Sequence, residues 1–354
     1  MSLRIVLANE NRGRGGAERY TVELARALSR AGHHTWLACR PGSWLSEQGL
    51  ECVEIDFRGD LDPLNLLRAR SRLQKIQPQV VHCQATRDLS LLALWRGLFA
   101  RQVALIKSQH SFLDGPGSWW LRGCFRSCDR VVAVSASLQD QMVGMLGPLP
   151  MEVIPNALRL PPLQQPVPER MLRGEWLGYV GALIASKKVD WVLQASCEWL
   201  RGGRDRHLLV AGEGPELERL RQLSDELGIG ENCWFVGYVD DPLPYLAALR
   251  VLVHPNPEET FSLVCLEAMA LQVPVVSFRA GGIAEVVVHE ETGLLAECLE
   301  PAALGPAIGR YVESPDLRQA HGRAGRRRVA EHYSWEAILP RWLALYQRFC
   351  ERPS

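Results

Sequence analysis

The chain alternates short β-rich apolar runs with amphipathic helical stretches, and it does so in two blocks separated by a run of prolines. In the first block the pattern predicts strands at 4–8, 35–39, 52–55, 80–83, 103–107 and 130–134, with helices at 17–30, 63–76, 89–100 and from 137 onward. In the second it predicts strands at 177–180, 207–211, 233–236, 251–254 and 275–277, with helices at 189–201, 215–227, 242–249 and 263–271. The tail from 301 is helical by pattern. Strands separated by helices of about ten to fifteen residues are βαβ units, and these build parallel sheets. Between the blocks, Pro155, Pro161, Pro162, Pro166 and Pro168 punctuate a stretch with no apolar period, the mark of a linker or hinge. The expected fold is α/β, with two Rossmann-like parallel-sheet domains at 1–162 and 163–333 and a last helical segment at 334–354. Ligands of such sheets bind beyond the carboxyl ends of the strands, so a tandem pair is expected to face a central cleft.

Composition narrows the function classes. Lys+Arg and Asp+Glu are both 40, so the chain as a whole is not a nucleic-acid-binding polycation. The neutrality hides an asymmetry, because residues 1–150 carry 19 basic and 13 acidic side chains and the remainder carries 21 and 27. No run approaches the length of a spanning helix, and the first residues lack the basic–apolar–small order of a signal peptide. The ten cysteines show no Cys-x2-Cys pair, which suits reduced thiols in a cytoplasmic protein.

The richest chemistry lies in HPNPEETFSLVCLEAMA, residues 254–270. A strand ends at His254, a proline-interrupted loop follows, and an apolar helix begins near Leu263, with Thr260 or Ser262 as its cap. The first N–H groups of that helix, at Leu263, Val264 and Cys265, form a natural diphosphate site. Glu267, one turn inside, can accept from the two neighbouring hydroxyls of a ribose. Two surface glutamates flanking an ordinary helix would show the same spacing.

The neighbouring residues decide between them. The sequence resembles the retaining GT-B-fold glycosyltransferases of the family-4 type. Their E-x-F-x-L-x-x-L-E-A-M-A signature is matched by Glu259, Phe261, Leu263, Leu266, Glu267, Ala268, Met269 and Ala270. Pro274, Val275, Val276, Gly281, Gly282 and Glu285 match the P-V-V-x-x-x-x-G-G-x-x-E that follows, and Thr292–Leu295 reads T-G-L-L. The resemblance extends through GGAER (15–19), VSASL (134–138), IPNAL (154–158), AGEGPE (211–216) and VGYVDD (236–241).

The resemblance implies a metal-independent transferase that takes a sugar from a nucleoside-diphosphate donor, UDP- or GDP-linked, and needs no other cofactor. It assigns Glu259 to the sugar hydroxyls, Glu267 to the ribose, and Lys187 to the diphosphate. It puts Phe261, Ser262, Leu263, Val264, Gly212, Glu213 and Val236 around the donor, and Gly15 and Gly16 near the acceptor and the donor phosphate. His110, at the end of ALIKSQH, matches a family histidine close to the transferred sugar, with His82 and His254 as rivals of the same placement. Two departures stand out: Ala182 replaces the usual arginine of G-R-L-x-x-x-K-G-x-D, and Lys188 sits where the pattern has glycine, so either Lys188 joins Lys187 on the donor diphosphate, or the phosphates are held differently, or activity is weak.

The implied acceptor is a glycan or lipid-linked hydroxyl met by the first domain, in bacterial envelope polysaccharide or lipopolysaccharide assembly. The last helix is expected to return to the first domain. A GT-B nucleotide-sugar 2-epimerase and a nucleotide-sugar-binding pseudoenzyme are the competing readings. Asp60–Asp62, an Asp-x-Asp, reads as an acidic helix cap rather than a metal site. Trp95, Leu98 and Phe99 lie beside Arg96 and Arg101, and Trp119 and Trp120 lie beside Arg122. That pattern fits either peripheral contact with an anionic membrane at the cytoplasmic face of the inner membrane, or a buried core beside an acceptor cleft.

Overall fold

Strands buried on both faces read as continuous apolar runs, and VVHC, RVVA, VLVH and VVSF are of this kind. The computed structural model, which describes residues 2–57, 63–113, 115 and 119–350, forms parallel sheets from them. Asp60–Asp62 lies outside the described residues. The chain divides into two units, Met1–Leu158 with Trp335–Ser354, and Arg159–Ser334.

The first unit holds a seven-stranded sheet. Its strands are β1 (Arg4–Ala8), β2 (His34–Cys39), β3 (Cys52–Glu54), β4 (Val80–Cys83), β5 (Ala104–Gln109), β6 (Arg130–Ala133) and β7 (Met151–Val153). They lie in the order β3-β2-β1-β4-β5-β6-β7, all parallel. The connections include α1 (Gly16–Arg30), α2 (Pro63–Ile76), α3 (Thr86–Phe99), α4 (Trp119–Arg126) and α5 (Ala136–Leu146).

The second unit holds six parallel strands, β8 (Glu175–Val180), β9 (Arg206–Ala211), β10 (Cys233–Gly237), β11 (Val251–His254), β12 (Val275–Phe278) and β13 (Gly293–Ala296). Their order is β10-β9-β8-β11-β12-β13. The helices are α6 (Val189–Arg201), α7 (Leu217–Glu226), α8 (Leu243–Ala247), α9 (Leu263–Ala270), α10 (Ile283–Val286), α11 (Leu304–Glu313) and α12 (Pro315–His332). In both sheets the order reverses direction beside the first strand, at β1/β4 and β8/β11, where open α/β sheets bind ligands.

The last described helix, α13 (Trp335–Cys350), belongs to the first unit. Trp335, Ile338, Trp342, Leu345, Tyr346 and Phe349 join Leu3, Leu7, Leu24, Leu37 and Ile106 in one apolar cluster. Four elements escape the sequence pattern: α4, the edge strand β7, the four-residue α10, and β13, whose GLLA is too short to show a period. The cysteines are all free, but they are not uniformly buried, and Cys298 is exposed.

Candidate active site

The loop after β11 carries the second unit's charged centre. Glu259 is half-buried there and is gripped from three sides. Lys187 Nζ donates to its Oε2 at 2.6 Å and Asn256 Nδ2 at 3.2 Å, while His254 Nε2 lies 3.4 Å away. Burial by itself would raise this carboxyl. The approach of His254, followed by the charge and hydrogen bond of Lys187, outweighs burial and holds Glu259 at about 2. His254 is itself buried, and its ring has no closer polar partner among the described residues.

Backbone contacts set the loop. Gly282 N donates to Glu259 O (2.8 Å), and a Cβ on Gly282 would stand 1.8 Å from Thr260 O. The paired glycines 281–282 thus let one loop lie directly on the backbone of another. Directly after this loop, Ser262 caps α9 by accepting from Cys265 N (3.3 Å). Its carbonyl takes Leu266 N, so an anion at this helix start would meet the N–H groups of Leu263 and Val264. Glu267 follows one turn in, half-buried on α9, while Phe261 is buried edge-on against Tyr333. Cys265 is pushed up to about 12 by burial, against the opposing hydrogen bond with Ser262.

The neighbouring strand ends converge on the same edge. After β8, residues 181–188 turn back through a single 3-10 turn at Ala185–Lys187. Leu183 N donates to Glu213 O (2.9 Å), and Gly212 N to Gly237 O (2.8 Å). A Cβ on Gly212 would meet Gly181 O at 1.9 Å, so the loops after β8 and β9 are stacked backbone on backbone. Val236 is the extra residue of a bulge, since Phe235 pairs with Val210 and Gly237 with Ala211. Ala182 is exposed, and its carbonyl accepts from Tyr179 Oη (3.1 Å).

Lys188 behaves differently from Lys187. It adopts φ 52°, ψ 40° as the residue preceding α6, and its Nζ lies 5.6 Å from the Trp191 ring centroid. The left-handed backbone explains why a glycine suits this position.

The first unit has its own polar cluster at the carboxyl ends of β4 and β5. His110 Nε2 donates to Gln84 Oε1 (2.8 Å), and the Tyr20 ring packs 5.5 Å from the imidazole. Burial, helped by the nearby Lys107 ammonium, lowers His110 to about 3, so the ring is neutral at ordinary pH. At the start of α1, Glu18 folds back on the glycines: Asn11 Nδ2 donates to Glu18 Oε1 (2.5 Å), and a Cβ on Gly15 would meet Oε2. The N-terminus of α1, begun at Gly16, therefore already faces a carboxylate.

Two family descriptions match in tandem: Glycosyltransferase Family 4 over residues 14–160 and Glycosyl transferases group 1 over residues 169–328. The chain belongs to the family-4, group 1 glycosyltransferases. A lipopolysaccharide core biosynthesis glycosyltransferase LpsD of Rhizobium meliloti (strain 1021) is 26% identical over 352 residues, covering 94% of this chain and 95% of its own. A glycosyltransferase of Rickettsia africae superposes with TM-score 0.86 over 99% of both chains at 17% identity. Anabaena Alr3699/HepE, solved with UDP, gives 0.85 over 98% of this chain and 100% of that one, again at 17%. The fold is thus the two-domain GT-B arrangement of Rossmann-like units.

The family's motif residues fall into two groups. Lys187, Glu259, Phe261, Ser262, Leu263, Val264 and Glu267 gather around the β11–α9 loop, with Gly212, Glu213 and Val236 on the adjoining strand ends. His110, Gly15 and Gly16 belong to the first unit. Sequence reasoning missed Asn256, which grips Glu259, and Gln84, which grips His110. His254, by sequence only a rival of His110, lies against Glu259. Their one outward sign is placement at or just after a strand end.

Proposed function

We propose that this glycosyltransferase moves a sugar from a UDP- or GDP-linked donor to a hydroxyl of a glycan or lipid-linked acceptor, with retention of configuration. The observation that carries the donor assignment is the half-buried Lys187–Glu259 pair beside the Ser262-capped start of α9. An ammonium has three donors, so Lys187 can hold Glu259 and still present N–H to a diphosphate. Glu259, kept ionised, accepts from hydroxyls of the transferred sugar, and Glu267 accepts from the ribose.

In the reaction the bond between the anomeric carbon and the diphosphate oxygen breaks, and its electron pair leaves with the diphosphate. Lys187 and the α9 N-terminus stabilise that developing charge. The acceptor oxygen then bonds to the anomeric carbon from the side the diphosphate vacates, and its proton passes to a phosphate oxygen. His110 lies close to the transferred sugar.

The relative from Rhizobium meliloti supports a place in lipopolysaccharide or polysaccharide assembly, and the Anabaena protein's UDP supports the donor class. A cytoplasmic enzyme that docks peripherally on an anionic membrane fits a lipid-linked acceptor. No described helix is long and apolar enough to cross a membrane.

The test is a panel of nucleotide sugars scored by thermal stabilisation, followed by acceptor screening with product analysis. A sugar nucleotide that raises the melting temperature, and whose sugar appears on an added acceptor, supports the reading. A new sugar nucleotide formed without any acceptor would instead mean an epimerase. Stabilisation without turnover on any acceptor would point to a binding protein lacking the Ala182-position arginine.

A further inference from the structure

Gln84 is held near His110 through both its backbone and its side chain. Its N–H is shared between Ala8 O (2.8 Å) and Asp88 Oδ2 (3.2 Å), and its carbonyl accepts from the buried Lys107 ammonium (3.3 Å). Its amide reaches two imidazoles. Oε1 accepts from His110 Nε2 at 2.8 Å, and Nε2 donates to His82 Nε2 at 3.1 Å. His82 in turn bonds through Nδ1 to Tyr346 Oη on α13 (2.8 Å), while Ser108 Oγ reaches its Nε2 at 2.7 Å. Gln84 and His82 are 3% and 0% exposed, so solvent does not supply alternative partners.

A carboxamide has an oxygen that only accepts and a nitrogen that only donates. Two imidazole Nε2 atoms bridged by one such group cannot play the same role. One must carry its proton, and the other must present its lone pair. We propose that Gln84 is a positioning residue that locks His110 and His82 into opposite tautomers, with Tyr346 of α13 holding the far nitrogen of His82. This rests on the reading of His110 as a residue that meets the transferred sugar.

The consequence for His110 is definite. With its proton on Nε2 committed to Gln84, the ring keeps its lone pair on Nδ1. That nitrogen can accept a hydrogen bond and cannot donate one. Burial lowers both histidines, with His110 and Lys107 adding to the effect on His82, so the pair stays neutral and tautomers are the relevant states. Three residues distant in sequence, at 82, 84 and 346, thereby choose what His110 can recognise.

Long-range 1H–15N correlation spectra of the 15N-labelled full chain read the tautomers directly. The expected result is Nε2–H at His110 and Nδ1–H at His82. Tyr346→Phe, which keeps the buried ring but removes the oxygen, should move His82 toward Nε2–H and His110 toward Nδ1–H, although residue 346 does not bond His110. Gln84→Leu should uncouple the rings and lower kcat by about tenfold to a hundredfold, with donor KM within about twofold. Gln84→Glu, still an acceptor for His110, should recover part of the loss. The same tautomer on both rings in the wild type, or a His110 signal indifferent to both Tyr346→Phe and Gln84→Leu, overturns the relay. Opposite tautomers that respond to these changes while kcat stays constant would support the relay and remove His110 from the transfer step.

Discussion

Glu259 and Glu267 belong to one eight-residue spacing, yet their surroundings separate their roles. Glu259 touches Lys187, Asn256 and His254, whereas Glu267 stands a turn inside α9. Glu267→Gln is expected to weaken sugar-free nucleoside diphosphate and full donor alike by about 1.5–3 kcal/mol, the worth of hydrogen bonds to a charged group. Glu259→Gln should spare the free nucleotide and lower turnover. Calorimetric titration of both variants checks this, and equal nucleotide affinity in wild type and Glu267→Gln would sink the ribose assignment. The low position of Glu259 also makes a pH prediction. Its carboxyl falls from 4.5 to about 2 on folding, so its ionised form stabilises the folded chain by about 3 kcal/mol at neutral pH. That contribution is complete above about pH 4.5 and is lost as pH falls toward about 2. Denaturant melts should therefore show the gap between wild type and Glu259→Gln closing over that window. A gap that stays constant down to about pH 2 would mean the carboxyl is not held low.

At the scale of elements, the turns that carry the site are governed by backbone contacts, and these can be broken one at a time. Gly282→Ala puts a Cβ against Thr260 O and must push the Glu259 loop aside. The expected cost is about 2 kcal/mol or more in stability, with loss of nucleotide-sugar affinity. Lys188→Gly acts in the opposite direction, because it relieves a left-handed lysine worth about 1 kcal/mol. Its melting temperature should match or exceed that of the wild type, and a clear drop would show that the Lys188–Trp191 contact outweighs the backbone strain. The same contrast tells how far a sequence can be read. Strands such as Val80–Cys83 and Val251–His254 are legible because both faces are apolar, and α6 because its buried face repeats with the helical period. Lys187 and Glu259 are legible through their motifs. Asn256 against Glu259 is not, because the contact depends on how a proline-broken loop turns. The Tyr346–His82 bond is not, because it joins positions 264 residues apart. Trp95 beside Arg96 fits either a membrane-facing pair or a buried core, and short spacing does not separate the two. In the fold Trp95 is 2% exposed, and Arg96 is tied to Asp129 (2.9 Å) and to the carbonyls of Val103 and Ser127.

For the whole molecule, the charge asymmetry of the sequence acquires a location. Helices α2 and α4 carry no acidic residue, and the one acid of α3, Asp88, is fully buried. The helices pack in the order α2, α3, α4, and among them Arg68, Arg72, Lys75, Arg101 and Arg126 are exposed. Large apolar side chains accompany these cations: Leu64, Leu67 and Leu98 are each more than half exposed, and Trp119 is 83% exposed. With Trp95 buried and Arg96 bound to Asp129, Val103 and Ser127, the proposed docking on an anionic bilayer would rest on these residues and not on that pair. If about three of the cations meet an anionic bilayer at ~1 kcal/mol each, attraction is about 3 kcal/mol before Trp119 and the leucines add to it. Docking of that strength is reversible and salt-sensitive. Co-sedimentation with vesicles containing anionic lipid should show binding at low salt that fades as salt is added and is weak on neutral vesicles. Arg72, Arg101 and Arg126 changed together to Glu should abolish it, while Trp119→Ala should weaken it with the salt dependence intact. Nucleotide-sugar stabilisation should be unchanged in both variants, since neither touches the β11–α9 loop. Failure to sediment with anionic vesicles at low salt would leave these cations to an anionic acceptor, and the same triple variant should then raise acceptor KM with donor KM unaltered.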